Sequence, residues 1–111
     1  MERKLLRCDT TSDFKPIRDA DARILADLYK MFADPSRAKI LYLLQGREIC
    51  VNHIAQVLGM SKSAVSHQLR LLRTAGLVKY IKVGKNSFYA LDDTHVSDII
   101  KIAVDHINHK K

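Results

Sequence analysis

Four residues toward the end of this chain have the types and spacing of a metal site: Asp93 and His95, then His106 and His109. The run from Asp92 to His109 carries apolar residues at helical spacing, which puts all four on one helix or its first turn. His95 and His106 lie eleven positions apart, about three full turns, and therefore share a face. At ~1.5 Å per residue they are also about 16 Å apart along the axis, so a single ion cannot join them within one helix. Two copies of the helix running antiparallel about a twofold axis would set Asp93 and His95 of one copy against His106 and His109 of the other. Symmetry then makes two equivalent sites, each of three imidazoles and one carboxylate. Three nitrogens and one oxygen with no open position suit tetrahedral Zn(II) or Co(II), two ions per dimer. A helix C-terminus also attracts His and Lys through its dipole, and His106, His109, Lys110 and Lys111 would each answer to that alone. The match between an i,i+3 histidine pair and a carboxylate–imidazole pair favours metal.

Bulk properties narrow the setting. A chain of 111 residues builds one domain with a modest core. Its formal charge of +7 doubles to roughly +14 in a homodimer, which favours a polyanionic partner. Nothing in it is apolar for long enough to span a membrane, and the first residues lack the core of a secretory signal. The expectation is a cytoplasmic protein without a membrane partner. Cys8 and Cys50 are too few for a disulfide scaffold and are expected to stay reduced. A metal closed by four protein ligands has no place for an activated water, and no nucleophile arrangement or phosphate-cradling loop is present. The chain therefore reads as a non-enzyme with no small organic substrate.

The positioning elements follow from punctuation and periodicity. Residues 1–17 are polar and mixed and read as an N-terminal arm, leaving 18–111 as the folded domain. Ile24, Leu25, Leu28, Tyr29, Met31 and Phe32 predict a helix from Asp19 to Ala33. Asp34-Pro35 restarts the chain as cap and first helical residue of a second helix, which stops at Gly46. A third helix runs about 51–58 and ends at Gly59; Ser61 caps a fourth, closed by Gly76, with Ala64, Val65, Leu69, Leu71 and Leu72 turned mostly inward. Residues 77–83 alternate as a strand, Gly84-Lys85-Asn86 turns, and Ser87–Leu91 returns. Two short helices around a tight turn, followed by a basic hairpin, form a winged helix-turn-helix: mostly α with a β-hairpin wing. Its N- and C-terminal helices are left to make the homodimer.

On the fourth helix the core accounts for the apolar residues, leaving Lys62, Ser63, Ser66, His67, Gln68 and Arg70 outside. Gln68 can pair bidentately with adenine, and Ser63 is adaptable. Lys62, Arg70 and Arg73 suit phosphates, which fix position without specifying sequence. Lys79, Lys82, Lys85 and Asn86 would lay the wing along adjacent backbone. For His67, a DNA contact, a local cap and packing beside the turn all remain open.

The run Glu48-Ile49-Cys50-Val51, then Ile54-Ala55, then Ser61-Lys62-Ser63-Ala64-Val65-Ser66-His67-Gln68-Leu69-Arg70-Leu71-Leu72 resembles the ArsR/SmtB family of metal-responsive repressors, over about residues 20–110. The C-terminal set is most similar to the zinc- and cobalt-sensing SmtB/CzrA branch. That resemblance implies that Asp93, His95, His106 and His109 are regulatory ligands. It further implies that metal weakens operator binding, releasing genes for metal efflux or sequestration. In this branch a metal-bound histidine is thought to donate to a backbone carbonyl at the end of the recognition helix, here near Gly76. Many relatives add a thiolate-rich site for softer ions such as cadmium or lead, built from the arm and a Cys-Val-Cys segment. Here Cys50-Val51-Asn52-His53 stands in that place, with Cys8 in the arm. Cys8, Cys50 and His53 could supply three ligands of a second metal or redox site, with a fourth donor missing; the alternative is that Cys50 is a small buried apolar residue and Cys8 a bystander on the arm.

Overall fold

The computed structural model describes residues 14–110; Cys8, Lys111 and most of the expected arm lie outside that range. Side-chain caps mark the starts of three of the five helices. Helix α1 (Asp19–Phe32) opens with Asp19 and Asp21 in its first turn, where carboxylates complement the helix dipole. Helix α2 (Pro35–Leu43) is capped by Asp34, whose carboxylate accepts the Arg37 N–H at 3.0 Å. Helix α3 (Val51–Leu58) ends at Gly59, whose φ of +65° is a left-handed terminus open to glycine at no steric cost. Helix α4 (Lys62–Thr74) is capped by Ser61 Oγ, which accepts the Ala64 N–H at 3.1 Å.

Strands β1 (Val78–Val83) and β2 (Asn86–Leu91) pair antiparallel, with Val78 opposite Leu91 and Val83 opposite Asn86. The hairpin loop is therefore two residues, Gly84-Lys85, with positive φ only at Gly84, as in a type II′ turn. Asn86 belongs to β2 rather than to the turn, and β1 begins one residue after Leu77. Ile49 exchanges hydrogen bonds of 3.0 and 2.8 Å with Tyr89, so the segment entering α3 is pinned to the returning strand. Helix α5 (Thr94–Lys110) closes the chain, with the Asp93 carboxylate accepting the Val96 N–H at 3.1 Å.

The core sits among α2, α3 and α4, where Ile40, Leu41, Ile54, Val65, Leu69 and Leu72 are all fully buried. Leu77, Val78, Leu91, Val96 and Ile100 extend it beneath the hairpin and the first half of α5. Leu71 departs from expectation: it is 39% exposed, because the buried stripe of α4 is Val65-Leu69-Leu72 and Leu71 falls off it by about a third of a turn. Helix α1 buries no residue fully, and Ile17, Ile24, Leu25, Tyr29, Ile102 and Ile107 all remain exposed. The radius of gyration is 17.9 Å, against about 13 Å for a compact domain near this length. Both outer helices therefore project with apolar surface uncovered.

Candidate nucleic-acid interface and metal-ligand pairs

Helix α4 divides into three faces about its buried stripe. Opposite the core, Ser63, His67 and Arg70 are exposed, and Lys62 is exposed at the N-terminus. His67, left open by sequence reasoning, stands near the middle of this outward face. Ser63 also lies 3.5 Å from the capping Ser61 hydroxyl. Ser66 is half-buried at one margin. The two remaining predicted residues flank the helix on opposite sides, and each has a partner that periodicity could not supply.

On one side Gln68 is half-buried, and its side-chain oxygen accepts from Arg37 Nη1 at 3.3 Å. Arg37 also donates from Nε to the Met31 carbonyl at 3.0 Å and from Nη2 to the Lys30 carbonyl at 3.2 Å. It thus satisfies two carbonyls at the C-terminus of α1, where a cation is favoured. Sequence reasoning missed Arg37, since a contact spanning 31 positions leaves no periodic trace. On the other side the Arg73 guanidinium lies 5.0 Å from the Tyr80 ring centroid, a cation–π geometry. Tyr80 packs edge-on against Tyr89 at 5.3 Å and shares a 2.6 Å hydrogen bond with Ser87. The wing is thereby fixed to the end of α4. Lys82, Lys85 and Asn86 are exposed along its tip, whereas Lys79 borders a hollow with Glu48, Asp92 and Asp93, away from the tip.

The expected ligand pairs lie at opposite ends of α5. His95 Nδ1 is 3.6 Å from Asp93 Oδ2, with both side chains accessible. The Asp93 pKa is lowered, first by the Val96 N–H, in part offset by desolvation, and further by His95. Capping uses Oδ1, which leaves Oδ2 toward the imidazole. His106 and His109 are exposed one turn apart in the last part of the helix. Among the described residues of one chain, three such ligands nowhere gather into a metal-holding group. Cys50 is half-buried at the start of α3 and lines a hollow with His53, Arg47, Glu48 and Phe88.

Two short helices joined by a tight turn, a polar outer face on the second and a braced basic hairpin define a winged helix-turn-helix transcriptional regulator, not an enzyme. Residues 34–80 match the family model of bacterial regulatory proteins of the arsR family. The chain is 43% identical over 86 residues to a transcriptional repressor SmtB homologue of Synechocystis, covering 78% of this chain and 65% of that protein. It is 40% identical over 83 residues to a cadmium resistance regulatory protein CadC homologue of Staphylococcus aureus, covering 74% and 69%. Its fold matches, at TM-score 0.73 and 27% identity, a homodimeric winged helix-turn-helix DNA-binding domain from Mycobacterium bovis, described as a possible ArsR-family regulator; 87% of this chain and 94% of that one are covered. This chain belongs to the ArsR/SmtB family of transcriptional regulators. No helix among its described residues is long and apolar enough to cross a membrane.

Proposed function

We propose that this protein is a metal-responsive repressor: an apo homodimer binds operator DNA in the cytoplasm and releases it on binding Zn(II) or Co(II). Derepression of metal efflux or sequestration genes would follow. The observation that carries this reading is the division of four ligands between the two ends of a helix whose intervening surface is apolar and uncovered. His95, Ile99, Ile102, His106 and His109 follow one another at helical spacing along one stripe, and Ile102, midway, is 68% exposed. A second copy of α5 laid antiparallel on this stripe would cover Ile102 and unite Asp93 and His95 with the other copy's His106 and His109. The donor set fits the ion. Asp93 can offer Oδ2 while Oδ1 keeps its cap, and three imidazoles with one carboxylate match closed tetrahedral zinc. A bound ion would supply a cross-link fixing how the two α5 helices meet.

Coupling to DNA has a short physical route. The Leu77 N–H donates to the Leu72 carbonyl of α4 at 2.9 Å, and the Asp92 N–H donates to the Leu77 carbonyl at 3.0 Å. Asp93 is the next residue, so the ligand-bearing cap lies two backbone hydrogen bonds from the reading helix. Gln45 ties the first turn of α5 to α2 by donating to the Ser97 carbonyl at 3.1 Å. Metal favouring one arrangement of the α5 pair shifts the dimer away from the spacing that fits two half-sites, and DNA lowers metal affinity by the same factor. The soft-metal or redox alternative at Cys50 and His53 is weaker. Its third residue, Cys8, is outside the described residues.

Operator binding followed by fluorescence anisotropy, with and without stoichiometric zinc, tests this reading for wild type and His106→Ala. Zinc should weaken wild-type binding by about fivefold to 150-fold and leave the variant unaffected. Equal affinity with and without zinc in wild type would sink metal sensing at α5 and direct attention to Cys50 and His53.

A further inference from the structure

The register of the hairpin divides its lysines between two faces. Side chains alternate along each strand, so Tyr80, Lys82, Ser87 and Tyr89 share one face, and Lys79, Ile81, Phe88 and Ala90 share the other. The Arg73 guanidinium lies over the Tyr80 ring, which fixes the first face as the one toward the end of α4. The second face is turned toward the segment entering α3. There Phe88 borders one hollow with Arg47 and Glu48, and Lys79 borders another with Arg47, Glu48, Asp92 and Asp93. Around that second hollow two cations balance the carboxylates of Glu48 and Asp92, so the Asp93 carboxylate is the net charge left to attract a cation. Among the described residues Lys79 forms no ion pair, so it acts on its neighbours through its field and not through contact.

From this geometry we infer that Lys79 belongs to the sensing end of the molecule and not to the DNA interface: its charge sets how tightly the Asp93 end of α5 takes up a divalent cation. A positive charge beside a carboxylate ligand opposes the arrival of a second positive charge, and removing it leaves the hollow net negative before Asp93 is counted. The sensor is thereby detuned, releasing DNA only at a higher metal concentration than its ligands alone would set. The expectation that Lys79 lies along DNA backbone with Lys82 and Lys85 is replaced, since its strand position turns it to the opposite face from Lys82. This inference rests on the metal-binding reading given above.

The test is a charge series at one position in the full-length protein: wild type, Lys79→Arg, Lys79→Gln and Lys79→Glu, with His106→Ala alongside. Zinc affinity is measured without DNA, by competition with a chromophoric chelator. Lys79→Arg should match wild type, Lys79→Gln should bind zinc about two- to fivefold tighter at low salt, and Lys79→Glu about five- to twentyfold tighter. Near 1 M salt, where the screening length falls to ~3 Å, these differences should vanish. In operator binding by the metal-free protein, Lys79→Gln should keep the wild-type slope of log affinity against log salt, whereas Lys82→Gln should lower it by about 0.9. Zinc affinity that does not follow the charge at position 79 would overturn the inference. So would a salt slope lowered by Lys79→Gln as much as by Lys82→Gln, which would place Lys79 on a phosphate. If Lys79→Glu melts early, Lys79→Gln decides, since it is neutral and keeps the length of most of the side chain. His106→Ala binding zinc as tightly as wild type would remove the metal-binding reading at α5, and this inference with it.

Discussion

The helix-turn-helix and the outer helices are built on opposite principles. Helices α2, α3 and α4 bury Ile40, Leu41, Ile54, Val65, Leu69 and Leu72 completely against one another, so their folding energy is internal to the chain. Helices α1 and α5 leave Ile24, Ile102 and Ile107 more than half exposed. An exposed branched aliphatic side chain contributes little to a monomer and much to an interface. The reading helix needs fixed geometry, because base edges demand it. On the proposed function the outer helices need a geometry that can change, because a sensor must hold two arrangements close in energy. One chain thus separates a part that is self-sufficient from a part whose apolar surface is left uncovered.

Truncation at the centre of each region is the strongest way to break that contrast. Leu69→Ala should cost about 2–5 kcal/mol of folding stability, a large share of the ~5–15 kcal/mol typical of a domain. Urea unfolding should show it as a lower midpoint with little change in slope. Ile102→Asp should leave secondary structure by circular dichroism intact while shifting the protein to monomer in sedimentation. Self-association should weaken by at least about tenfold, or ~1.4 kcal/mol, since two carboxylates would face each other near the twofold axis. If Ile102→Asp unfolds the monomer, or leaves the dimer untouched, the division between the regions is wrong.

The contrast also explains what was legible in the sequence. Helix starts at Asp34 and Ser61 follow from local capping, and the hairpin follows from alternation around Gly84; such signals act over a few residues. The shared stripe of His95, His106 and His109 on α5 was legible because helical spacing alone fixes which side chains share a face. Leu71 was misplaced because a leucine beside a leucine reads as core, while only one phase of α4 can face α2 and α3. The braces on Gln68 and Arg73 were invisible for another reason. Arg37 reaches Gln68 by folding back α2 onto α4, and Tyr80 reaches Arg73 only once the hairpin is docked. Such pairings depend on tertiary approach, which no periodicity encodes.

Those two braces make the finest comparison, between the two margins of the reading helix. At the Gln68 margin the brace is a hydrogen bond from a guanidinium to an amide oxygen. At the Arg73 margin the brace is an aromatic face, which favours a cation nearby without fixing a donor. Tyr80→Leu keeps apolar bulk on β1 and removes the ring and the hydroxyl bound to Ser87. It should weaken all operator sequences alike by about two- to fivefold, the ~0.5–1 kcal/mol of an exposed cation–π contact. The salt dependence should stay unchanged, since Arg73 keeps its charge and can still reach a phosphate. Arg73→Ala, by contrast, should lower the slope of log affinity against log salt by about 0.9, one phosphate's worth of released counterion. A change of base preference in Tyr80→Leu, or a larger loss than in Arg73→Ala, would show that the wing margin also specifies sequence.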